Sequence, residues 1–294
     1  MSDPVTAPTG PFAERVRALP RLGIGVSTEY GAGEAEGALD VAALRAAHPQ
    51  WAGFLEVGVE LLKGLDAHAR RWVDAGLPTT YHFLDVNLDE PEDLEPAWMA
   101  DVAATARAIG AAWLCGDAGW WHFGARDRNQ MLLLPPVLTR GFADATAAGI
   151  VRLREATGRE VLPENPPGQV WLGDLGLLDY FARVCERADT GMLLDCAHLA
   201  IYQRAMRRAP LDGLDGFPLD RVVELHVAGG SERDVGGYRF VDDDHVPRVL
   251  PETWTIFDHV AARAPNLKAV VFECERNPLA AAKAGFARIA ERWR

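Results

Sequence analysis

Lysine is nearly absent from this 294-residue chain: Lys63, Lys268 and Lys283 are the whole complement. None clearly ends an apolar run, so isomerisation chemistry that leans on a lysine beside the reacting carbon has no obvious carrier. Basic residues as a group are outnumbered, 30 Lys and Arg against 42 Asp and Glu, which leaves a formal charge of −12. That balance argues against nucleic acid as a partner, because such binding rests on cationic neutralisation of phosphates. Cysteine is limited to Cys115, Cys185, Cys196 and Cys274. They form no CxxC pair, so a structural four-cysteine zinc site is excluded and buried reduced thiols are expected. No apolar run approaches the ~20 residues of a membrane helix, and residues 1–20 lack the apolar core of a signal peptide. A cytoplasmic protein without membrane contact is expected. The GxSxG elbow, the GxxxxGK-Ser/Thr phosphate loop and the HExxH helix are all missing. Gly23-Ile24-Gly25 lacks the third glycine of a dinucleotide fingerprint.

What the chain does have is an alternation. Apolar residues make up 49% and charged residues 24%, as in a soluble domain with a full core. Short β-branched or apolar runs predict strands at 22–27, 53–58, 79–84, 112–116, 160–164, 191–195, 222–227 and 268–274. Stretches of helical period separate them, the weakest being 201–208. Eight strands alternating with helices predict an α/β fold, the (β/α)8 TIM barrel, as a single domain over 21–294. Residues 1–20, rich in Pro, Ala and Thr, read as a mobile lead-in.

Barrel enzymes build their sites at the C-terminal strand ends. Here those ends carry Glu56 and Glu60, His82 and Asp85, Asp117, Glu164, Asp195 and His198, Glu224 and His226, then Asp242, Asp243, Asp244 and His245 in a loop, and finally Glu273 and Glu275. Buried charge is costly unless paired or coordinated, and few Lys or Arg share these ends. A multinuclear metal centre accounts for them together. Imidazole with carboxylate suits Fe, Mn, Zn or Co. A two-carboxylate glycosidase using Glu164 and Glu273 is the weaker alternative, because it leaves the histidines without a role. The long link 119–138 carries Trp120, Trp121, His122 and Arg126, expected to line the substrate site.

The order Glu164, Asp195-x-x-His198, His226, Asp243-x-His245, Glu273 resembles that of the xylose-isomerase-like barrel superfamily. The words Leu162-Pro163-Glu164-Asn165-Pro166, Leu193-Leu194-Asp195, Glu224-Leu225-His226-Val227-Ala228-Gly229 and Phe272-Glu273-Cys274-Glu275-Arg276-Asn277-Pro278 are similar to the multinuclear non-haem iron-dependent oxidative enzymes, which include the oxidase of methanobactin biosynthesis. The chain is a divergent member by this resemblance: Ala197 and His198 stand where two Asn are usual, and Ala118 and Gly230 where His is usual. The resemblance implies two or three iron ions, with Mn or Zn as substitutes, and O2 as co-substrate. It implies that Glu164, Asp195, His226 and Glu273 hold one metal, that His198, Asp243 and His245 hold a second, and that His82 and Asp117 complete a third site. Glu164 or Glu273 would bridge two metals. The implied substrate is a peptide cysteine or a small amino-acid-derived molecule, in natural-product biosynthesis, with a partner protein that delivers it. Two other readings stay open: a redox-neutral isomerase, epimerase or hydrolase using Mn, Zn or Mg, and a metal- or peptide-binding protein without catalysis.

Overall fold

A computed structural model describes residues 9–28, 36–123, 128 and 131–293. Eight parallel strands close into a barrel: β1 (Gly23–Thr28), β2 (Phe54–Val59), β3 (Thr79–Phe83), β4 (Ala111–Asp117), β5 (Val161–Glu164), β6 (Met192–Asp195), β7 (Val222–Ala228) and β10 (Ala269–Glu273). They follow one another around the circle in chain order, and β10 closes against β1 with Gly23 beside Ala269 and Val26 beside Phe272. Each lies within two residues, at either end, of a strand expected from the sequence. Two short strands outside the barrel, β8 (Ser231–Val235) and β9 (Tyr238–Asp242), form an antiparallel hairpin above the end of β7. A side chain at Gly229 would collide with the Val246 carbonyl, so glycine is what lets the loop after the hairpin fold back over the strand end.

The helices pack outside. They are α2 (Val41–Ala47), α3 (Ala67–Asp74), α4 (Pro96–Ala108), α5 (Arg140–Thr157), α6 (Leu177–Ala188), α7 (Cys196–Ala205), α8 (Pro251–Ala261) and α9 (Leu279–Arg292). The longest, α5, shows why they form. Thr139 caps its first turn by accepting from the Phe142 N–H, Gly158 ends it at φ 67°, and Ala143, Ala147, Ile150 and Leu153 give it one buried apolar face. The main apolar core lies between these helices and the outward faces of the strands.

Two segments depart from expectation. Residues 12–18, expected in a mobile lead-in, form a short helix, α1 (Phe12–Ala18). It is ordered because Phe12 and Val16 are buried against Phe54, Trp113, Leu162, Leu193 and Val271 inside the N-terminal mouth of the barrel. Arg15 locks it there through Glu160 and the Asp189 carbonyl. The helix expected at 201–208 begins instead at Cys196, directly after β6, with no intervening loop. His198 therefore sits in a first helical turn. The Cys196 thiol packs into the outer core, away from the lumen.

Candidate metal centre

Alternation along the strands sends every second side chain into the lumen, and the last inward positions are the polar ones. His82 (β3), Asp117 (β4), Glu164 (β5), His198 (start of α7), Asp243 and His245 (after β9) and Glu273 (β10) line one cavity of about 510 Å³ at the C-terminal mouth. Asp195 and His226 lie beneath its floor and are fully buried. The structure thus gathers all nine expected ligands around one cavity.

The atoms fall into three overlapping groups. His226 Nδ1 lies 3.3 Å from Glu164 Oε1, 3.3 Å from Glu273 Oε1 and 3.9 Å from Asp195 Oδ2. His198 Nε2 lies 2.8 Å from Asp243 Oδ2, and His245 Nε2 lies 3.7 Å from that oxygen and 3.8 Å from Glu273 Oε2. His82 Nε2 lies 2.8 Å from Glu164 Oε2, with Asp117 in the same cluster. Glu164 and Glu273 each turn one oxygen to the first group and the other to a neighbouring group.

The support around these atoms is built from side-chain and backbone hydrogen bonds. Asn165 accepts from the Asp195 N–H and donates to the Asp195 carbonyl, joining the ends of β5 and β6. Asp195 Oδ1 caps α7 by accepting the His198 N–H, which leaves Oδ2 facing the centre. His198 Nδ1 donates to the Asn165 carbonyl, and His245 Nδ1 donates to Glu275, so each ring presents Nε2 inward. His245 itself adopts φ 50°, rare for a residue with a side chain, and Asn277 holds its carbonyl. Below the floor, Glu56 Oε1 stands 3.0 Å from His226 Nε2, and Glu224 accepts from the Trp113 indole.

Electrostatics separate these groups. Burial alone would lower His82, but Glu164, Glu56 and Asp117 outweigh it and hold the imidazole up at about 9. His198, His226 and His245 are raised against their burial in the same way. Burial, reinforced by Glu273 and Glu164, lifts Asp195 to about 7; burial and Glu164 also hold Asp117 well above the usual carboxylate range. The histidines outweigh burial at Glu164 and Asp243 and hold both carboxyls low. Arg276 is the one Lys or Arg among the described residues that line the cavity.

This donor set fits metal ions. Asp117 Oδ1, Glu164 Oε1, Asp195 Oδ2, His226 Nδ1, Asp243 Oδ1 and Glu273 Oε2 are buried with no hydrogen-bond partner, whereas buried polar atoms are ordinarily satisfied. Cations between the groups would satisfy all six, and they would replace the protons that the raised histidines hold.

The residues expected to line the substrate site are placed differently. Trp121 lines the cavity, with Leu84, Met131 and Leu133. Trp120 packs against Phe123 and Phe142 and donates to Asp89, outside the lining. His122 is fully buried against Asp93 and also lies outside the lining. Arg126 lies outside the described residues. Sequence reasoning missed Gln169 and Phe240, which also line the cavity. The Gly236-Gly237 turn was the available sign of the hairpin that brings Phe240 there.

Comparison with known proteins agrees with this architecture. A xylose isomerase-like TIM barrel protein from Mycobacterium smegmatis, solved in complex with magnesium, superposes with a TM-score of 0.57 at 13% identity, over 94% of this chain and 97% of that one. The TTHB071 protein from Thermus thermophilus, solved after soaking with ZnCl2, gives a TM-score of 0.52 at 18% identity, over 92% of this chain and 99% of that one. A UPF0276 protein of Acaryochloris marina is 27% identical over 202 residues, which is 68% of this chain and 71% of the relative. The profile described as "RiPP precursor modification enzyme MbnB/TglH/ChrH" matches residues 38–290, and by that match across most of its length the chain belongs to the MbnB/TglH/ChrH family.

Proposed function

We propose that this protein is a multinuclear non-haem iron enzyme that uses O2 to oxidise a peptide cysteine or a small amino-acid-derived substrate, in natural-product biosynthesis. The observation that carries the reading is the cluster of nine imidazoles and carboxylates around one cavity, with six buried donor atoms left without partners. The family adds peptide modification as the activity.

Glu164, Asp195, His226 and Glu273 would hold one metal. His198, Asp243 and His245 would hold a second with the other oxygen of Glu273. His82 and Asp117 would hold a third with the other oxygen of Glu164. When bound, iron supplies redox chemistry with O2 and lowers the pKa of a coordinated substrate thiol or amine. The chain's own residues do the rest. Leu84, Trp121, Met131 and Leu133 form an apolar wall beside the acidic floor; it excludes water and strengthens every charge interaction inside. With one Glu273 oxygen, His198, Asp243 and His245 would supply four protein donors, which leaves coordination positions open on a six-coordinate iron. Arg276 at the cavity is a cation suited to a substrate carboxylate. A separate protein that delivers the peptide belongs to the same proposal.

The test uses protein prepared without oxygen, loaded with Fe(II), then mixed with O2 and candidate substrates that include cysteine-containing peptides. Substrate-dependent oxygen uptake is expected. Equal turnover under strict anaerobiosis with Mn or Zn in place of iron would overturn the reading in favour of a redox-neutral enzyme.

A further inference from the structure

Helix α7 leads out of the metal centre toward a second cavity. His198, Ile201 and Arg204 recur every third residue and so share one side of the helix. His198 lies in the centre, Ile201 lines both cavities, and Arg204 lines the second, also about 510 Å³. At ~1.5 Å rise per residue, six residues separate the two ends by about 9 Å. Gln169, Phe240 and Val241 line both cavities as well, and Gln169 donates to the Val241 carbonyl across the partition.

The lining of the second cavity is rich in arginine where that of the first is rich in carboxylates. In a chain of net charge −12, its lining carries Arg204, Arg207, Arg233 and Arg239 against one acid, Glu232. Arg204 is engaged with Glu232 and Glu252, and Arg233 with Asp242 and Asp244. Arg239 is 86% exposed, with Asp234 at 3.8 Å, and Arg207 is exposed too. Tyr238 and Phe240 stack at 5.8 Å on β9 and add an aromatic surface. The consecutive residues from Gly237 to Val241 all line this cavity. Residues from both faces of β9 therefore lie along it, with Glu232 and Arg233 of β8, while the Val241 carbonyl is already taken by Gln169. Among the described residues the β8–β9 ribbon has no third strand. An exposed edge is a template for an extended peptide.

We infer that this groove binds an acidic, extended segment of the peptide substrate and positions a residue about three places away over the metal centre. The spacing follows from ~3.3 Å per residue of extended chain across the ~9 Å between Arg204 and His198. The inference rests on the peptide-modification reading above and adds where, and with what charge, the peptide docks.

The experiment measures fluorescence anisotropy on metal-free, full-length protein. The probes are a fluorescein-labelled octapeptide of alternating Glu and Tyr, and versions with Lys or Ser in place of Glu. The acidic peptide should bind, more weakly as salt rises, and the other two should not. The double variant Arg207→Glu/Arg239→Glu should lose at least about tenfold in affinity for it, while circular dichroism and metal uptake match the wild type. Equal binding to wild type and variant, equal binding of acidic and basic peptides, or no binding of the acidic peptide would overturn the groove. Because no turnover is read, these outcomes are separate from the oxidase proposal.

Discussion

The two ends of the barrel lumen are made by the same eight strands and share nothing chemically. At the N-terminal end Phe54, Trp113, Leu162, Leu193 and Val271 fill the interior, and α1 stoppers it with Phe12 and Val16. At the C-terminal end the same alternation presents Glu164, Asp195 and Glu273, buried and crowded at 3.3 to 3.9 Å from His226 Nδ1. One end gains stability by removing apolar surface from water. The other carries groups whose burial opposes folding unless something satisfies them. The stoppered end holds the strands in place, so the acidic end can be assembled at the cost of its own repulsion.

The comparison breaks most sharply at Glu164, whose two oxygens face two of the three groups. Glu164→Ala should lose two metal equivalents by elemental analysis, and activity by roughly a thousandfold or more. Far-UV circular dichroism should stay that of the wild type. Retention of full metal content would refute the ligand assignment. Phe54→Ala at the opposite end should do the reverse. A fully buried phenylalanine removed from a packed lumen costs ~3–5 kcal/mol, measured by denaturant unfolding, and the folded fraction should keep its metals. A variant that unfolds no more easily than wild type would show that the stoppered end is not where stability resides.

A gentler perturbation sharpens the contrast. Glu275→Gln keeps the side chain's shape but removes the charge that accepts from His245 Nδ1, accepts from Ser27 Oγ and faces Arg276. Metal affinity should fall ~10–100-fold, read by competition with a chelator. No change would mean that His245 is oriented by its backbone alone. The smallest effect is a proton count. His82, held at about 9 by Glu164, is charged at neutral pH and must lose its proton to ligate. Metal uptake at pH 7 should therefore release protons, with the share from His82 vanishing as pH rises through about 9. Calorimetry in two buffers of different ionisation enthalpy measures it, and zero release at pH 7 would contradict the raised imidazole.

The barrel was legible because eight β-branched runs alternate with helical stretches, and the centre because barrel geometry brings the polar strand ends together. What stayed hidden lacked those signals. The hairpin at 231–242 is rich in charged residues, and only Val241 is buried in its strands, so no apolar alternation marks it. The start of α7 was hidden because Cys196-Ala197 reads equally well as the tail of a strand. Helix α1 offered only Phe12 and Val16, four apart, in a Pro- and Ala-rich setting. The burial of His122 depends on Asp93, 29 residues earlier, a pairing that no local pattern encodes.

The junction between β6 and α7 has one more consequence, for how this chain can change length. Asp195 ends the strand, caps the helix and turns its other oxygen to the centre, with no loop residue before Cys196. Inserting a single residue between Asp195 and His198 would swing His198 by roughly 100° about the helix axis. It would also part the cap from its N–H. Insertions and deletions among related chains should therefore gather in the links at 119–138 and 229–250 and be missing from 195–198, a pattern that an alignment of homologues reads directly.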